Sequence, residues 1–196
     1  QGTLIFGSEP KAIFAHGLVP RVLNPNAVAS YLTYDAVLTP QSIFENIHKL
    51  EAAAYLVYKN GQVNTHTYWH PPVTQHTQLS FNEAREKLDA LFEKSVNSQL
   101  VADVPVGVFL SGGLDSSLIT YYAQHMRGEP IHTFSLGFED PSYDESSYAR
   151  RVAELLGTHH HERIVSADEI RAVLITTVEK LDEPIADPAI LPNHLL

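Results

Sequence analysis

The segment Val104-Pro-Val-Gly-Val-Phe-Leu-Ser-Gly-Gly-Leu-Asp-Ser-Ser117 constrains this chain more than any other stretch. Val104 to Leu110 is a short apolar run of the kind that forms a buried parallel strand. It stops at the turn Ser111 to Ser117, and an apolar, helix-compatible segment follows from Leu118 to Met126. A glycine-rich turn between a strand and a helix N-terminus is a ready anion site. Its backbone N–H groups point outward, the helix dipole adds positive potential, and glycine lets a phosphate approach the main chain. No Gly-Lys-Ser/Thr follows the glycines, and the spacing is not Gly-x-Gly-x-x-Gly, so neither common phosphate loop is present. The two glycines, two serines and aspartate of Ser111–Ser116, after a buried strand, exceed what a plain strand–turn–helix corner with serine caps requires.

The remainder of the second half alternates strands with helices. Ser80 and Glu83 make a capping-box pattern ahead of a helix to about Leu100, with Phe81, Ala84, Leu88, Leu91 and Phe92 at helical spacing as its buried face. After the loop, the pattern predicts a strand Ile131–Phe138, a helix Tyr143–Leu156 ending at Gly157, and a strand His160–Val165. A second capping box, Ser166 with Glu169, then opens a helix to about Leu181. This order predicts an α/β domain with a doubly wound parallel sheet covered on both faces. Its loop lies at the carboxyl end of the first strand, where ligands bind in such sheets. Asp144 and Glu145 read as helix cap and dipole partner.

Residues 1 to about 70 mix short strands and helices instead. Asn24-Pro25 is a cap followed by a first-turn proline, starting a helix through Leu32. Lys59-Asn60-Gly61 between Ala54–Tyr58 and Gln62–Thr65 predicts a hairpin with a two-residue turn. Residues 71–79, polar and proline-bearing, read as a linker.

Composition excludes several classes of function. A net charge of −10 with no lysine/arginine block argues against nucleic-acid binding. The absence of cysteine removes disulfides and thiolate metal sites. No apolar run reaches membrane-span length and the first residues do not resemble a signal peptide, so a cytoplasmic enzyme or binding protein is expected, with no membrane partner. The chain opens without methionine inside a strand-like run and closes in what reads as the first turn of a helix. A piece of a longer protein is therefore expected.

Ser111-Gly-Gly-Leu-Asp-Ser116 resembles the signature of the pyrophosphate-loop (PP-loop) family of ATP pyrophosphatases. Further segments narrow the resemblance: Phe6-Gly-Ser-Glu9 with Lys11-Ala12, Ile43-Phe44, Lys49-Leu50, Tyr68-Trp69, Asp103-Val-Pro-Val-Gly107, Thr133-Phe-Ser-Leu-Gly-Phe138, Tyr143-Asp-Glu-Ser146, His160-His-Glu162 and Asp182-Glu-Pro184 through Asp187-Pro188. In this order and spacing they are similar, nearly end to end, to glutamine-hydrolysing asparagine synthetases. The resemblance implies that residues 1–70 end an α+β glutaminase (class II glutamine amidotransferase) domain of Ntn type, that 71–79 link, and that 80–196 begin the PP-loop synthetase domain.

In such a protein, ammonia freed from glutamine attacks β-aspartyl-AMP, which forms from aspartate and ATP with release of pyrophosphate. The glutaminase nucleophile is a cysteine, which this chain lacks, and the family's second catalytic loop is expected beyond Leu196. No catalytic residue is assigned within the chain. The resemblance further implies ATP and Mg²⁺ as cofactors, with Ser111, Gly112, Gly113, Ser116 and Ser117 holding pyrophosphate and Asp115 holding the metal. Phe109 and Leu136, with Leu110 and Gly137, would line the adenine site, largely through backbone groups. Asp182, Glu183 and Asp187 are candidates for a place near Mg²⁺-pyrophosphate or substrate. A homodimer is the expected assembly at full length.

Two alternatives stay open: adenylation of another carboxylate by a related amidotransferase or cyclase, and nucleotide binding without turnover. The triple His159-His160-His161 does not make a metal site, since neighbours on a strand alternate faces. One departure stands out. Relatives carry Lys-Leu-Pro-Pro-Gly before the hairpin, where this chain has Lys49-Leu50-Glu51-Ala52-Ala53, and the turn geometry there is the point at issue.

Overall fold

The computed structural model describes residues 3–73 and 78–195. Gln1, Gly2, Leu196 and residues 74–77 of the expected linker lie outside the described residues. The chain divides into two compact units. One joins the described residues up to 73 with Ile175–Ile190, and the other joins those from 78 to Leu174 with residues 191–195.

In the first unit, α1 (Pro10–Ala15) precedes α2 (Pro25–Tyr34). Asn24 caps α2 as expected, its Oδ1 accepting the amides of Asn26 and Ala27 at 3.0 and 3.4 Å. Ala27 is fully buried against Val37 and Ile43, with Val28, Tyr31 and Phe44 packed around them. The strands β1 (Ala54–Lys59) and β2 (Gln62–Thr67) pair antiparallel with Lys59 opposite Gln62. The turn residues Asn60 and Gly61 both have positive φ, 54° and 78°, as the predicted two-residue turn demands. Ala53, immediately before β1, also has positive φ, 53°. This is where the resemblance implies glycine, so the chain forms the turn with a residue that is strained in that conformation.

The second unit holds a three-stranded parallel sheet in the order β3 (Gly107–Phe109), β4 (His132–Phe138), β5 (His159–Val165). The first strand is shorter than the apolar run suggests. Pro105 has no N–H to give a ladder, and pairing starts at Gly107. Helix α3 (Phe81–Gln99) opens with the full capping box, the Ser80 amide donating to Glu83 and the Glu83 amide to Ser80 Oγ. Its apolar stripe is corrected by the structure: Phe81, Leu88 and Leu91 are exposed, and Val96 is the buried residue. The helix packs through its C-terminal half, where Phe92 stacks on Tyr122 at 5.5 Å and Val96 meets Ala123 and Ile131. Periodicity identified the apolar side of α3 but not how much of it finds a neighbour.

Helix α4 (Leu114–His125) starts inside the loop, four residues earlier than Leu118. Helix α5 (Ser146–Leu156) starts three residues later than Tyr143, because the Asp144 carboxylate accepts both the amide and the hydroxyl of Ser146, at 3.1 and 3.0 Å. It ends at Gly157, φ 68°, as predicted. The second capping box, Ser166 with Glu169, opens α6 (Ala167–Lys180), and α7 (Ile190–Leu195) follows. Helices α4 and α5 cover one face of the sheet. Leu110 meets Ala149 and Ala153 there, and Thr133 and Ser135 are buried on the same side. His132 and Phe134 alternate with them and are exposed on the other face.

Candidate functional site

The site is built at the carboxyl ends of β3 and β4. Leu110, 1 % exposed, anchors the end of β3 between the sheet and α5. The chain then turns through Ser111, Gly112 and Gly113 into α4. Gly112 has φ +81°, and a Cβ there would stand 2.5 Å from the Ala149 amide nitrogen and 2.6 Å from the Tyr148 carbonyl carbon. Both conditions demand glycine: the backbone is left-handed and it lies directly against the first turn of α5. Two serines tie the loop to itself. Ser111 Oγ accepts the Gly113 amide at 3.3 Å and lies 2.9 Å from Ser116 Oγ, which donates to the Gly113 carbonyl at 3.2 Å.

This arrangement leaves an open set of donors. The N-cap of α4 is Gly113, which has no side chain to give, and no side-chain cap bond is present. The first intrahelical bond in the loop runs from the Ser117 amide to the Gly113 carbonyl at 3.0 Å. The amides of Leu114, Asp115 and Ser116 precede it and have no intrahelical acceptor. A helix that begins within the loop thus presents three first-turn N–H groups at its positive end, which suits an anion. Asp115 stands exposed in that same first turn. A lone carboxylate at a helix N-terminus complements the dipole, and it opposes an anion unless a cation lies between them.

Beside the loop lies a cavity of about 380 Å³, lined among others by Phe109, Leu110, Ser111, Ser135 and Leu136. Phe109 and Leu136, expected together at one subsite, do line the same space, and Phe109 is 64 % exposed. Gly137 follows in β4 and has no room for a side chain, since a Cβ would meet Ile164 Cδ1 at 2.5 Å and Asp144 Oδ1 at 2.7 Å. The cavity also takes in residues that were not among the expected site residues: Phe138, Tyr143, Glu145 and Ser146, with Pro192 and Asn193. Tyr143 and Glu145 reach it because Asp144 fixes the bend between β4 and α5, accepting the Phe138 amide at 3.3 Å as well as Ser146. The Ser146 amide, together with the Ser146 hydroxyl, the Phe138 amide and Arg150, holds the Asp144 carboxyl below its ordinary value.

The acidic candidates Asp182, Glu183 and Asp187 all belong to the first unit. Glu183 accepts the Ile43 amide at 2.7 Å and forms an ion pair with Lys49, itself bonded to the Val37 carbonyl at 2.8 Å. Asp182 lies 3.8 Å from Lys11, and Asp187 accepts the Ala189 amide at 2.9 Å. Among the described residues, no group of three His, Cys, Asp or Glu side chains could hold a metal ion. In the histidine triple, His159 and His161 lie on one face of the sheet beside His132, His161 stacked on it and His159 tilted against it, and His160 lies on the other.

These features define an α/β protein with a glycine-rich strand-to-helix loop and a neighbouring cavity at the carboxyl edge of a parallel sheet. Residues 87–196 match the Asparagine synthase family and residues 1–69 the Glutamine amidotransferase domain. The chain is 32 % identical over 183 residues to asparagine synthetase [glutamine-hydrolyzing] 3 of Bacillus subtilis, covering 86 % of this chain and 30 % of that protein. It is 31 % identical over 179 residues to asparagine synthetase [glutamine-hydrolyzing] 1 of the same organism, covering 89 % and 27 %. Asparagine synthetase [glutamine-hydrolyzing] 2 of Arabidopsis thaliana is 36 % identical over 115 residues, covering 54 % and 20 %. This chain belongs to the asparagine synthase family, and it spans less than a third of the length of these relatives.

Proposed function

We propose that the protein containing this chain makes asparagine from aspartate, ATP and ammonia released from glutamine, and that the second unit binds the ATP. The reading rests on one observation above the others. The α4 helix begins at Leu114 inside the loop, so three first-turn amides have no intrahelical acceptor there, and Ser111 of the same loop borders a cavity lined by Phe109 and Leu136. Those amides, with the Ser111, Ser116 and Ser117 hydroxyls, suit the β- and γ-phosphates, and the edge of β4 at Leu136 and Gly137 suits adenine.

The chemistry is adenylation. A carboxylate oxygen of aspartate attacks the α-phosphorus, the bond to the bridging oxygen breaks, and pyrophosphate leaves carrying the electron pair. Ammonia then attacks the acyl carbon of β-aspartyl-AMP, expelling AMP. The loop amides favour the first step by neutralising charge that grows on the departing pyrophosphate. Mg²⁺ fits this donor set only as an ion brought in with the nucleotide, because Asp115 is a single carboxylate and such ions take one or two carboxylates plus phosphate oxygens. It would supply further charge neutralisation on the pyrophosphate.

Residues 1–70 are proposed as the end of the glutaminase domain, 71–79 as the linker and 80–196 as the start of the synthetase domain, in a cytoplasmic enzyme. The residue matches at 1–69 and 87–196 support that division. Asp115→Ala in the whole protein tests the site. Aspartate-dependent pyrophosphate release should fall at least a hundredfold while glutamine hydrolysis persists. Pyrophosphate release at the parent rate would remove Asp115 from the metal.

A further inference from the structure

On the covered face of the sheet, behind the nucleotide cavity, lies a polar cluster that reaches the cavity through Ser135. His160 on β5 stands opposite Thr133 on β4. Its Nδ1 is 2.9 Å from Thr133 Oγ1 and its Nε2 is 3.1 Å from Ser135 Oγ. Thr133 Oγ1 is held in turn by Thr158 Oγ1 at 2.8 Å. Thr133 is fully buried and Ser135 is 5 % exposed, so these are interior hydroxyls. Ser135 also lines the cavity assigned above to adenine, between Phe134 and Leu136. One imidazole therefore spans the two β4 hydroxyls that precede the adenine-reading edge.

The other side of His160 faces a second space of about 330 Å³, lined by Arg150, Ala153, Glu154, Thr158 and Glu162. Glu162 Oε1 takes the Arg150 guanidinium at 2.6 Å. Its second oxygen, Oε2, is buried without a hydrogen-bond partner, 4.0 Å from His160 Nε2. A buried carboxylate oxygen left unpaired is costly, and a proton on the imidazole would give it a partner.

We propose that His160 is a positioning residue for the nucleotide cavity, holding Ser135 through Nε2 while neutral and turning toward Glu162 when protonated. The inference rests on the nucleotide reading of the cavity. A neutral imidazole has one N–H and one lone pair, so it can donate to one hydroxyl and accept from the other, keeping both β4 side chains in fixed orientations. A second N–H removes the lone pair, and the nearest unpaired acceptor is Glu162 Oε2. Burial lowers the His160 pKa from its ordinary value, which keeps the neutral form in place near pH 7. The charged and titratable groups facing it are Glu162 on β5 and Arg150 and Glu154 on α5, and His161, on the opposite face of β5, acts on it through its charge. Glu162 favours the proton, and Arg150 and His161 oppose it.

The test compares Mg²⁺-ATP with Mg²⁺-tripolyphosphate by calorimetric titration. Tripolyphosphate engages the loop alone, and because it has a second terminal phosphate that ATP lacks, each ligand's own protonation is subtracted from its pH profile before the two are compared. His160→Leu should weaken ATP by about three- to tenfold, the loss of one positioning hydrogen bond, and leave tripolyphosphate unchanged. His160→Gln, which keeps a donor and an acceptor, should recover part of the loss. In the parent protein, ATP affinity should be flat above about pH 6.5. It should decline relative to tripolyphosphate as the pH falls through the His160 pKa, and Ser135→Ala should abolish that relative decline. Should His160→Leu fail to fold, the parent and Ser135→Ala profiles decide alone. Equal ATP and tripolyphosphate profiles in the parent would overturn the role of His160 and leave the nucleotide site standing. Binding of neither ligand by the parent would overturn the nucleotide reading and this inference with it.

Discussion

Gly112→Ala is the substitution that most directly tests the geometry of the loop. The left-handed backbone, φ +81°, costs an alanine about 1–2 kcal/mol. The added methyl would also lie 2.5 Å from the Ala149 nitrogen and 2.6 Å from both the Tyr148 carbonyl carbon and Tyr148 Cβ. Two of these neighbours are main-chain atoms of α5 and cannot swing aside as a side-chain tip can, so an overpacking cost of about 1–3 kcal/mol adds to the strain. Against this stands a gain below about 1 kcal/mol from the reduced freedom of the unfolded chain. The net expectation is a loss of about 1–5 kcal/mol.

Gly113→Ala is the internal control. Its φ is −69° and the nearest atom to a new Cβ is Ser111 Oγ at 3.4 Å, so the loss should stay below about 1 kcal/mol, the ordinary difference between glycine and alanine at an N-cap. Urea unfolding followed by far-ultraviolet circular dichroism measures both. Equal losses at the two glycines, or a Gly112→Ala variant within about 0.5 kcal/mol of the parent, would refute the claim that α5 is packed directly on the loop.

Two further outcomes follow from particular residues. Ala53→Gly should raise stability by about 0.5 kcal/mol, because relief of the strained φ of 53° outweighs glycine's larger conformational entropy, and a lowered urea midpoint would contradict this. The Asp144 carboxyl is held low chiefly by the Ser146 amide, so its contribution to stability is complete above the unfolded-state value near 3.9. That contribution is lost as the pH falls through the folded-state value. Urea midpoints taken from about pH 5 down to about pH 2 should therefore fall less steeply in Asp144→Asn than in the parent, and parallel curves would remove Asp144 from the acid limb.

Features governed by neighbours in sequence were legible, and those governed by neighbours in space were not. The Asn24 cap, the two capping boxes, the Asn60-Gly61 turn and the glycine stop at Gly157 each depend on residues within a few positions, and each stands in the structure as its pattern predicts. The extent of β3 and the covered part of the α3 stripe depend on which partner strand or helix lies alongside, and these are where the structure departs from the pattern. The loop shows both cases at once. Its two glycines mark a turn open to an anion, but the specific need for glycine at 112 arises from Tyr148 and Ala149, more than thirty residues onward.

The same distinction accounts for Ala53. The lost Pro-Pro-Gly pattern signalled an altered turn, yet the structure keeps the left-handed conformation and places alanine in it. The geometry there is imposed by the pairing of β1 with β2 and by the Tyr68 amide bond to the Ala53 carbonyl, 2.8 Å, not by the residue's own preference. A conformation held by its surroundings against local propensity is a store of strain. A turn that had merely relaxed to suit alanine would show negative φ and gain nothing from glycine. The sign of the Ala53→Gly change therefore separates a turn dictated by the hairpin from one dictated by its own sequence.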